Sequence, residues 1–181
     1  MNNCTTKKLC FTAIFMGLNI AFSAFGIPVP GGHFYLTDAV ICTAAIILDP
    51  LYAFFVGGIG SFFGDLIYYP PAMFVSLIVH GVQAVIISAF SNYFFKSRQK
   101  LSSGIGVSLG AIVMVVGYTL GKIFVYSTRE YAIIKLPYEI LQATVGAVSG
   151  MLLCYKCKII DIARKHGIKG PVQNAQTTQS K

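Results

Sequence analysis

Long apolar runs, each separated from the next by a short polar or Pro/Gly-rich segment, constrain this chain more than any other feature. The 181 residues are 55% hydrophobic and only 11% charged, with a mean hydropathy of +0.70. Soluble domains carry about 25% charged residues, and a helix needs about 20 apolar residues to cross a bilayer. The sequence therefore predicts an all-α integral membrane protein with one domain, residues 1–165, and a polar, disordered tail, residues 166–181.

The runs divide into six predicted transmembrane segments. They cover residues 9–25, 39–48, 50–68, 72–95, 105–126 and 137–155. Asp49-Pro50 favours a helix start, because Asp is a good N-cap and Pro fits the first turn. Thr37 or Asp38 is expected to cap the short second segment. Lys7 and Lys8 before an apolar run could indicate a signal peptide, but the run is long enough to span and we interpret it as a retained helix.

Basic clusters give the predicted orientation. Lys7 and Lys8, the cluster of Lys96, Arg98 and Lys100, and a third cluster within residues 156–169 fall on one side if six segments cross. Basic residues mark the cytoplasmic side, so both termini are predicted to be cytoplasmic in a multi-pass protein of the bacterial plasma membrane. Arg129 and Lys135 remain as exceptions on the outer side. Membrane orientation accounts for the basic clusters, so nucleic acid is not expected as a partner.

Polar side chains within the apolar segments converge at the predicted outer end, where aromatic residues accompany them. Such groups are costly in a membrane and are often functional. Asp65 could instead lock two helices together, and Lys122 and Glu139 could simply pair. The candidate substrate-binding residues are His33, Tyr35, Asp65, Tyr68, His80, Gln83, Tyr118, Lys122, Glu139 and Gln142.

Motifs for catalysis or metal binding are missing from the sequence. It contains no GxxxxGK[ST] loop, no HExxH and no GxSxG, so we predict neither an ATPase nor a hydrolase. Cys154 and Cys157 have CxxC spacing without a second ligand pair, and no metal or cofactor is expected. Two other classes stay open: an intramembrane enzyme that uses His80 or Asp65, and a structural membrane subunit without a ligand.

Several stretches resemble the substrate-binding S components of energy-coupling factor (ECF) vitamin transporters, over about residues 8–158. They are DPLYAFFVGGIGSFFGD at 49–65, MFVSLIVHGVQ at 73–83, YLTD at 35–38, and a small-residue face in the first segment. That face consists of Ala13, Gly17 and Ala21, which share one side of a helix and permit close helix contact. The sequence is most similar to the subgroup associated with hydroxymethylpyrimidine and pyridoxine-type compounds.

The resemblance implies a fold of six helices with a vitamin site near the outer face. It also implies three partner subunits, a transmembrane coupling protein and two ATPases, with Ala13, Gly17 and Ala21 docking on the coupling protein. The chain has no Trp, and its polar candidates suit a single heteroaromatic ring with hydroxymethyl or amino groups. Pantothenate and riboflavin remain alternative substrates.

Overall fold

A computed structural model describes residues 3–94 and 98–168 of the protein. The prediction of an all-α fold is confirmed. The helices within the described residues are α1 (Asn3–Ser23), α2 (Thr37–Ile47), α3 (Pro50–Phe54), α4 (Gly60–Tyr68), α5 (Met73–Tyr93), α6 (Gln99–Gly121), α7 (Arg129–Tyr155) and α8 (Ile159–Lys165). The predicted end of the fourth segment at residue 95, Lys96 of the second basic cluster and residues 169–181 of the predicted tail lie outside the described residues.

Short irregular elements join the helices. A π-helical turn, Phe55–Ile59, connects α3 to α4, and a second, Lys122–Tyr126, extends α6. A 3₁₀ turn, Pro70–Ala72, separates α4 from α5, as the Tyr69-Pro70-Pro71 sequence predicts. The segment between α1 and α2, predicted as a loop, forms an antiparallel hairpin of β1 (Ile27–Val29) and β2 (Gly32–Phe34).

Three helical stretches in the described part are long and apolar enough to cross a membrane: Pro50–Tyr68, Pro70–Tyr93 and Gln99–Tyr126. α7 and α8 supply a fourth if they count as one span bent by 49°. Large apolar side chains are exposed around these helices, for example Ile78 and Phe124, as expected where lipid covers the surface. The count of six crossings and the orientation of the termini stay predictions.

The short helix α2 lies at the centre of the bundle. Ten of its 11 residues are buried, and it contacts α1, α5 and α7. Glycines of α7 allow the closest approach, since a Cβ added at Gly150 would lie 2.6 Å from the Cβ of Cys42. Its position inside the bundle explains why a helix too short to span easily is nevertheless mostly apolar.

Two predicted helix starts differ in the structure. The N-cap of α2 is Leu36, so Asp38 lies inside the helix and neither it nor Thr37 caps it. α7 begins at Arg129 behind an N-cap at Thr128, eight residues before the predicted start at Pro137. That prediction was wrong because Pro137, although it cannot donate a backbone hydrogen bond, is accommodated within the helix.

The predicted start at Asp49-Pro50 is confirmed, with Asp49 as the N-cap of α3 and Pro50 following it. The carboxylate of Asp49 makes no capping hydrogen bond. It pairs instead with Lys8 of α1, at 2.5 Å between Nζ and Oδ2. This ion pair lies at the end of the bundle opposite the hairpin and links α1 to the α2–α3 turn.

Candidate substrate-binding site

One cavity lies at the hairpin end of the bundle, with about 610 Å³ of empty space including its open mouth. The hairpin, α4, α5, α6 with its π-helical turn, and α7 contribute to its walls. Eight of the ten predicted site residues line it: His33, Tyr35, Asp65, His80, Tyr118, Lys122, Glu139 and Gln142. Residues far apart in the sequence therefore converge on one cavity, as the spacing of polar groups along the helices predicts.

The other two predicted residues lie elsewhere. Tyr68 is 49% exposed and does not line the cavity, because α4 turns it outward, and its neighbour Tyr69 takes the place expected for it. Gln83 is 1% exposed and lies behind the cavity wall, where it forms a hydrogen bond with the side chain of His80. A direct role for either residue in the cavity is therefore not supported by its position.

The predicted site residues omit several polar residues that line the cavity, among them Tyr69 and Lys135. The sequence predicts that the turn Tyr69-Pro70-Pro71 lies at the mouth of a pocket, but Tyr69 itself is not among the predicted binding residues. It places Lys135 in an outer loop, because Pro137 is predicted to begin the last segment. Once the helix begins at Arg129, Lys135 lies one turn before Glu139, and this i, i+4 spacing is the signal that could have found it.

A buried hydrogen-bond network centred on Asp38 fixes the rear wall of the cavity. The Asp38 carboxylate accepts from the side-chain amides of Gln83, at 3.0 Å, and Gln142, at 2.7 Å. Gln83 Oε1 lies 2.7 Å from His80 Nδ1, which must be the donor because an amide oxygen only accepts. Gln142 Oε1 accepts from the backbone N–H of Tyr35 at 3.1 Å. The network leaves His80 Nε2 available to the cavity and ties the hairpin segment to α7.

Asp65 belongs to a second network, on the wall formed by α4, α5 and α6. Its carboxylate accepts a hydrogen bond from the hydroxyl of Ser76. The Ser76 oxygen lies 2.5 Å from the phenol oxygen of Tyr118, so Tyr118 is the donor in that contact. Asp65 therefore links α4 to α5, as the structural alternative proposed, and it also lines the cavity.

Lys122 and Glu139 form a buried ion pair on a third side of the cavity. The two side chains are only 4% and 1% exposed, and Thr119 donates to the second Glu139 oxygen at 3.2 Å. The Lys122 ammonium also lies 5.5 Å from the centroid of the Tyr118 ring and 5.7 Å from that of Tyr126. Lys122 and Glu139 therefore do contact each other, as the pairing alternative predicts. A neutralised pair is the less costly way to hold charge inside a membrane protein.

Aromatic rings surround the mouth of the cavity. His33 lies 6.0 Å from Tyr35 and 6.3 Å from Tyr69 between ring centroids, and Tyr69 lies 6.3 Å from Tyr126. Burial raises the pKa of Tyr35 to about 12, and the charge of Asp65 adds to this effect. The Tyr35 phenol therefore stays protonated at physiological pH and can donate a hydrogen bond.

The arrangement suits binding more than catalysis. His80 bonds to Gln83, whereas Ser76 bonds to Asp65 and Tyr118, so His80 is not paired with Ser76, a serine that could act as its nucleophile in the enzyme alternative. A nucleophile and its base should lie within hydrogen-bond reach. Polar groups held by their own networks around an apolar and aromatic cavity are typical of a ligand site.

The small-residue face of α1 points away from the bundle. Ala13, Gly17 and Ala21 are exposed, and a Cβ added at Gly17 would meet no atom within 4 Å. The internal contacts of α1 use its other side, where a Cβ at Gly60 of α4 would lie 2.9 Å from Asn19 Nδ2. The face is therefore not used for packing within the described part of the chain.

Comparisons with known proteins agree with the membrane character of the chain. Residues 3–158 match the family described as "ECF-type riboflavin transporter, S component". A protein of Pyrococcus woesei, described as "Uncharacterized protein in gap 3'region", is 34% identical over 134 residues, which are 73% of this chain and 88% of that protein.

The family defines the general role. ECF S components are membrane-embedded substrate-binding subunits, generally without enzymatic activity, that work with an ECF module of a coupling protein and ATPases. Since the match covers 156 of the 181 residues, from 3 to 158, this chain belongs to the family of ECF-type riboflavin transporter S components.

Proposed function

We propose that this protein captures a small vitamin or vitamin precursor with a single heteroaromatic ring, of the hydroxymethylpyrimidine or pyridoxine type, outside a bacterial plasma membrane. It then carries the ligand inward with a coupling protein and two ATPases, which supply the energy. The single observation that carries the choice of ligand is the lining of the cavity, where close-set aromatic rings alternate with carboxylate, ammonium and amide groups.

The aromatic rings favour one small ring over a fused, flavin-like ligand. A fused system of three rings needs a broad stacking wall, and the chain contains no Trp to form one. Among the described lining residues, neighbouring rings lie at steep angles to each other, with 61° between His80 and Tyr118 and 81° between Tyr69 and Tyr126. We therefore place riboflavin, named in the family description, second.

Calorimetric titration of the purified chain in detergent tests the proposal. The probes are hydroxymethylpyrimidine, pyridoxine, pantothenate and riboflavin, and we expect at least one single-ring probe to bind with a dissociation constant below about 1 μM, roughly −8 kcal/mol. Binding of riboflavin or pantothenate alone would contradict the choice of ligand and leave the family role intact. Conversion of any probe by the isolated chain would favour the enzyme alternative.

Two neighbouring tyrosines provide a matched pair of variants. Tyr69→Ala removes a ring at the cavity mouth and should weaken binding roughly tenfold, since an aromatic contact contributes about 0.5–1.5 kcal/mol beyond buried area. Tyr68→Ala removes a ring that lies outside the cavity and should leave the affinity unchanged. Equal effects of both changes would mean that the ligand does not bind in this cavity.

A further inference from the structure

Lys135 brings a buried positive charge to the cavity, and no residue that the structure describes forms a hydrogen bond or ion pair with it. Its side chain is 8% exposed and lines the cavity. Lys122, the other lysine in the lining, is neutralised by Glu139. Because an uncompensated buried charge is costly, the position of Lys135 calls for an acceptor that the described chain does not supply.

Packing, rather than an ion pair, holds the Lys135 side chain. It lies under the turn of the hairpin, where a Cβ at Gly31 would be 2.9 Å from the Cβ of Lys135 and a Cβ at Gly32 would be 3.2 Å from its Cδ. Both glycines have positive φ angles, +80° and +148°, which other residues rarely adopt. The hairpin therefore covers the aliphatic stem closely and limits the directions that the ammonium group can take.

Asp65 supplies the opposite charge on another wall. It lines the same cavity from α4, and its contact within the described chain is the neutral hydroxyl of Ser76. No ion pair joins Asp65 to Lys135 or to another described cation. The cavity thus presents one carboxylate and one ammonium group that do not neutralise each other by direct contact.

We propose that Asp65 and Lys135 recognise a zwitterionic ring, with Asp65 accepting from a protonated ring nitrogen and Lys135 donating to a ring oxyanion. The ligand class is a 3-hydroxypyridine with hydroxymethyl substituents, which in neutral water carries a pyridinium N–H and a phenolate oxygen. This inference rests on the proposed function and narrows it, because a hydroxymethylpyrimidine offers amino and ring nitrogens but no oxyanion for Lys135. Charge-assisted hydrogen bonds of this kind are about twice as strong as neutral ones.

The test compares pyridoxine with ligands that cannot form the ring oxyanion. Pyridoxine and its analogue without the 3-hydroxyl group are titrated calorimetrically into the full chain in detergent, together with hydroxymethylpyrimidine. We expect the unmodified chain to bind pyridoxine at least tenfold more tightly than the analogue. Lys135→Met should weaken pyridoxine binding by ten- to a hundredfold and change analogue binding less than threefold, whereas Lys156→Met, an exposed site at the end of α7, should change neither.

Two further measurements separate recognition from folding. Lys135→Met should raise the thermal unfolding temperature of the empty protein, because it removes an uncompensated buried charge, whereas a structural lysine would lower it when lost. Asp65→Asn should weaken pyridoxine binding at least tenfold through loss of the pyridinium contact.

The outcomes distinguish this inference from the proposed function. Equal loss of pyridoxine and analogue affinity in Lys135→Met, or a fall in its unfolding temperature, would overturn the role of Lys135. Binding of hydroxymethylpyrimidine but not pyridoxine would overturn the zwitterion and keep the proposed function. If the unmodified chain binds neither pyridoxine nor hydroxymethylpyrimidine, both the zwitterion inference and the proposed choice of ligand are wrong.

Discussion

At the scale of single residues, the cavity shows how different environments give similar charges different roles. Lys122 and Lys135 are both buried lysines in the lining, yet Lys122 is paired with Glu139 and Lys135 has no ion-pair partner in the part of the chain that the structure describes. Asp38 is 1% exposed and saturated by two amide donors, while Asp65 meets one hydroxyl and the cavity. Paired or saturated groups stabilise the walls, and the remaining ones are free to meet a ligand.

The Lys122–Glu139 pair leads to a residue-scale prediction. Glu139→Gln alone leaves a buried ammonium uncompensated and should lower the free energy of unfolding by about 3 kcal/mol. For a protein of this size that corresponds to a drop in unfolding temperature of roughly 6–12 °C. Adding Lys122→Met should recover most of the loss, since the double change removes both charges. Thermal unfolding in detergent measures both effects, and additive losses in the double variant would contradict the pairing.

The sequence predicts the position of a polar residue in the cavity well where that residue interrupts an apolar run. It predicts the role of a polar residue poorly where that residue borders a loop. Asp65, His80 and Glu139 are conspicuous because hydrocarbon rejects such groups, and all three line the cavity. Asp38 has the usual chemistry of a helix cap, and its role as acceptor for Gln83 and Gln142 depends on contacts 45 and 104 residues away. Nothing local to residue 38 specifies those partners.

At the scale of elements, helix positions follow from the apolar runs, whereas helix starts are predicted correctly at Asp49-Pro50 and wrongly at Pro137. The sequence predicts that Pro137 begins the last segment, whereas α7 begins eight residues earlier and includes this proline. That error moved Lys135 from a cavity wall to a loop. The hairpin was also missed, because two strands of three residues carry too little periodic pattern to separate them from a loop.

The contact between α2 and α7 gives a prediction at this scale. A Cβ added at Gly146 would lie 2.3 Å from the Cβ of Asp38, so Gly146→Ala must push the helices apart and should lower stability by about 1–3 kcal/mol. Gly104→Ala on α6 is the control, because its Cβ would meet nothing within 4 Å. It should be neutral or stabilising by up to about 1 kcal/mol. Thermal unfolding of both variants measures the difference. If Gly146→Ala is no less stable than Gly104→Ala, the close contact between α2 and α7 is contradicted.

At the scale of the whole molecule, the two ends of the bundle have different chemistry. The cavity and the hairpin lie at one end, and the Lys8–Asp49 pair and the described basic residues 156–165 lie at the other. This separation supports the predicted orientation, with the cavity outside and the basic end in the cytoplasm. The face of Ala13, Gly17 and Ala21 runs along α1 between these ends, exposed on the side of the bundle.

The exposed face of α1 predicts an effect on assembly but not on ligand capture. We propose that the coupling protein docks there, so Gly17→Leu should abolish co-purification with the coupling protein while calorimetric ligand binding stays unchanged. Gly60→Leu, on α4, places a leucine side chain against Asn19, on the side of α1 that faces the bundle. This change should reduce the thermal stability of the isolated chain. Loss of ligand binding in Gly17→Leu would mean that this face supports the fold instead.

The hydrogen bond from the Tyr35 backbone to Gln142, which spans 107 residues of sequence, has a consequence for timing. While that bond holds, the Tyr35 amide hydrogen is protected from exchange with solvent deuterium. Exchange requires the hairpin segment to part from α7, so its rate reports how often this contact opens. Tyr35 and Gln142 both line the cavity, so a ligand that touches both would hold the two sides of the contact together and should slow the exchange of this one amide hydrogen.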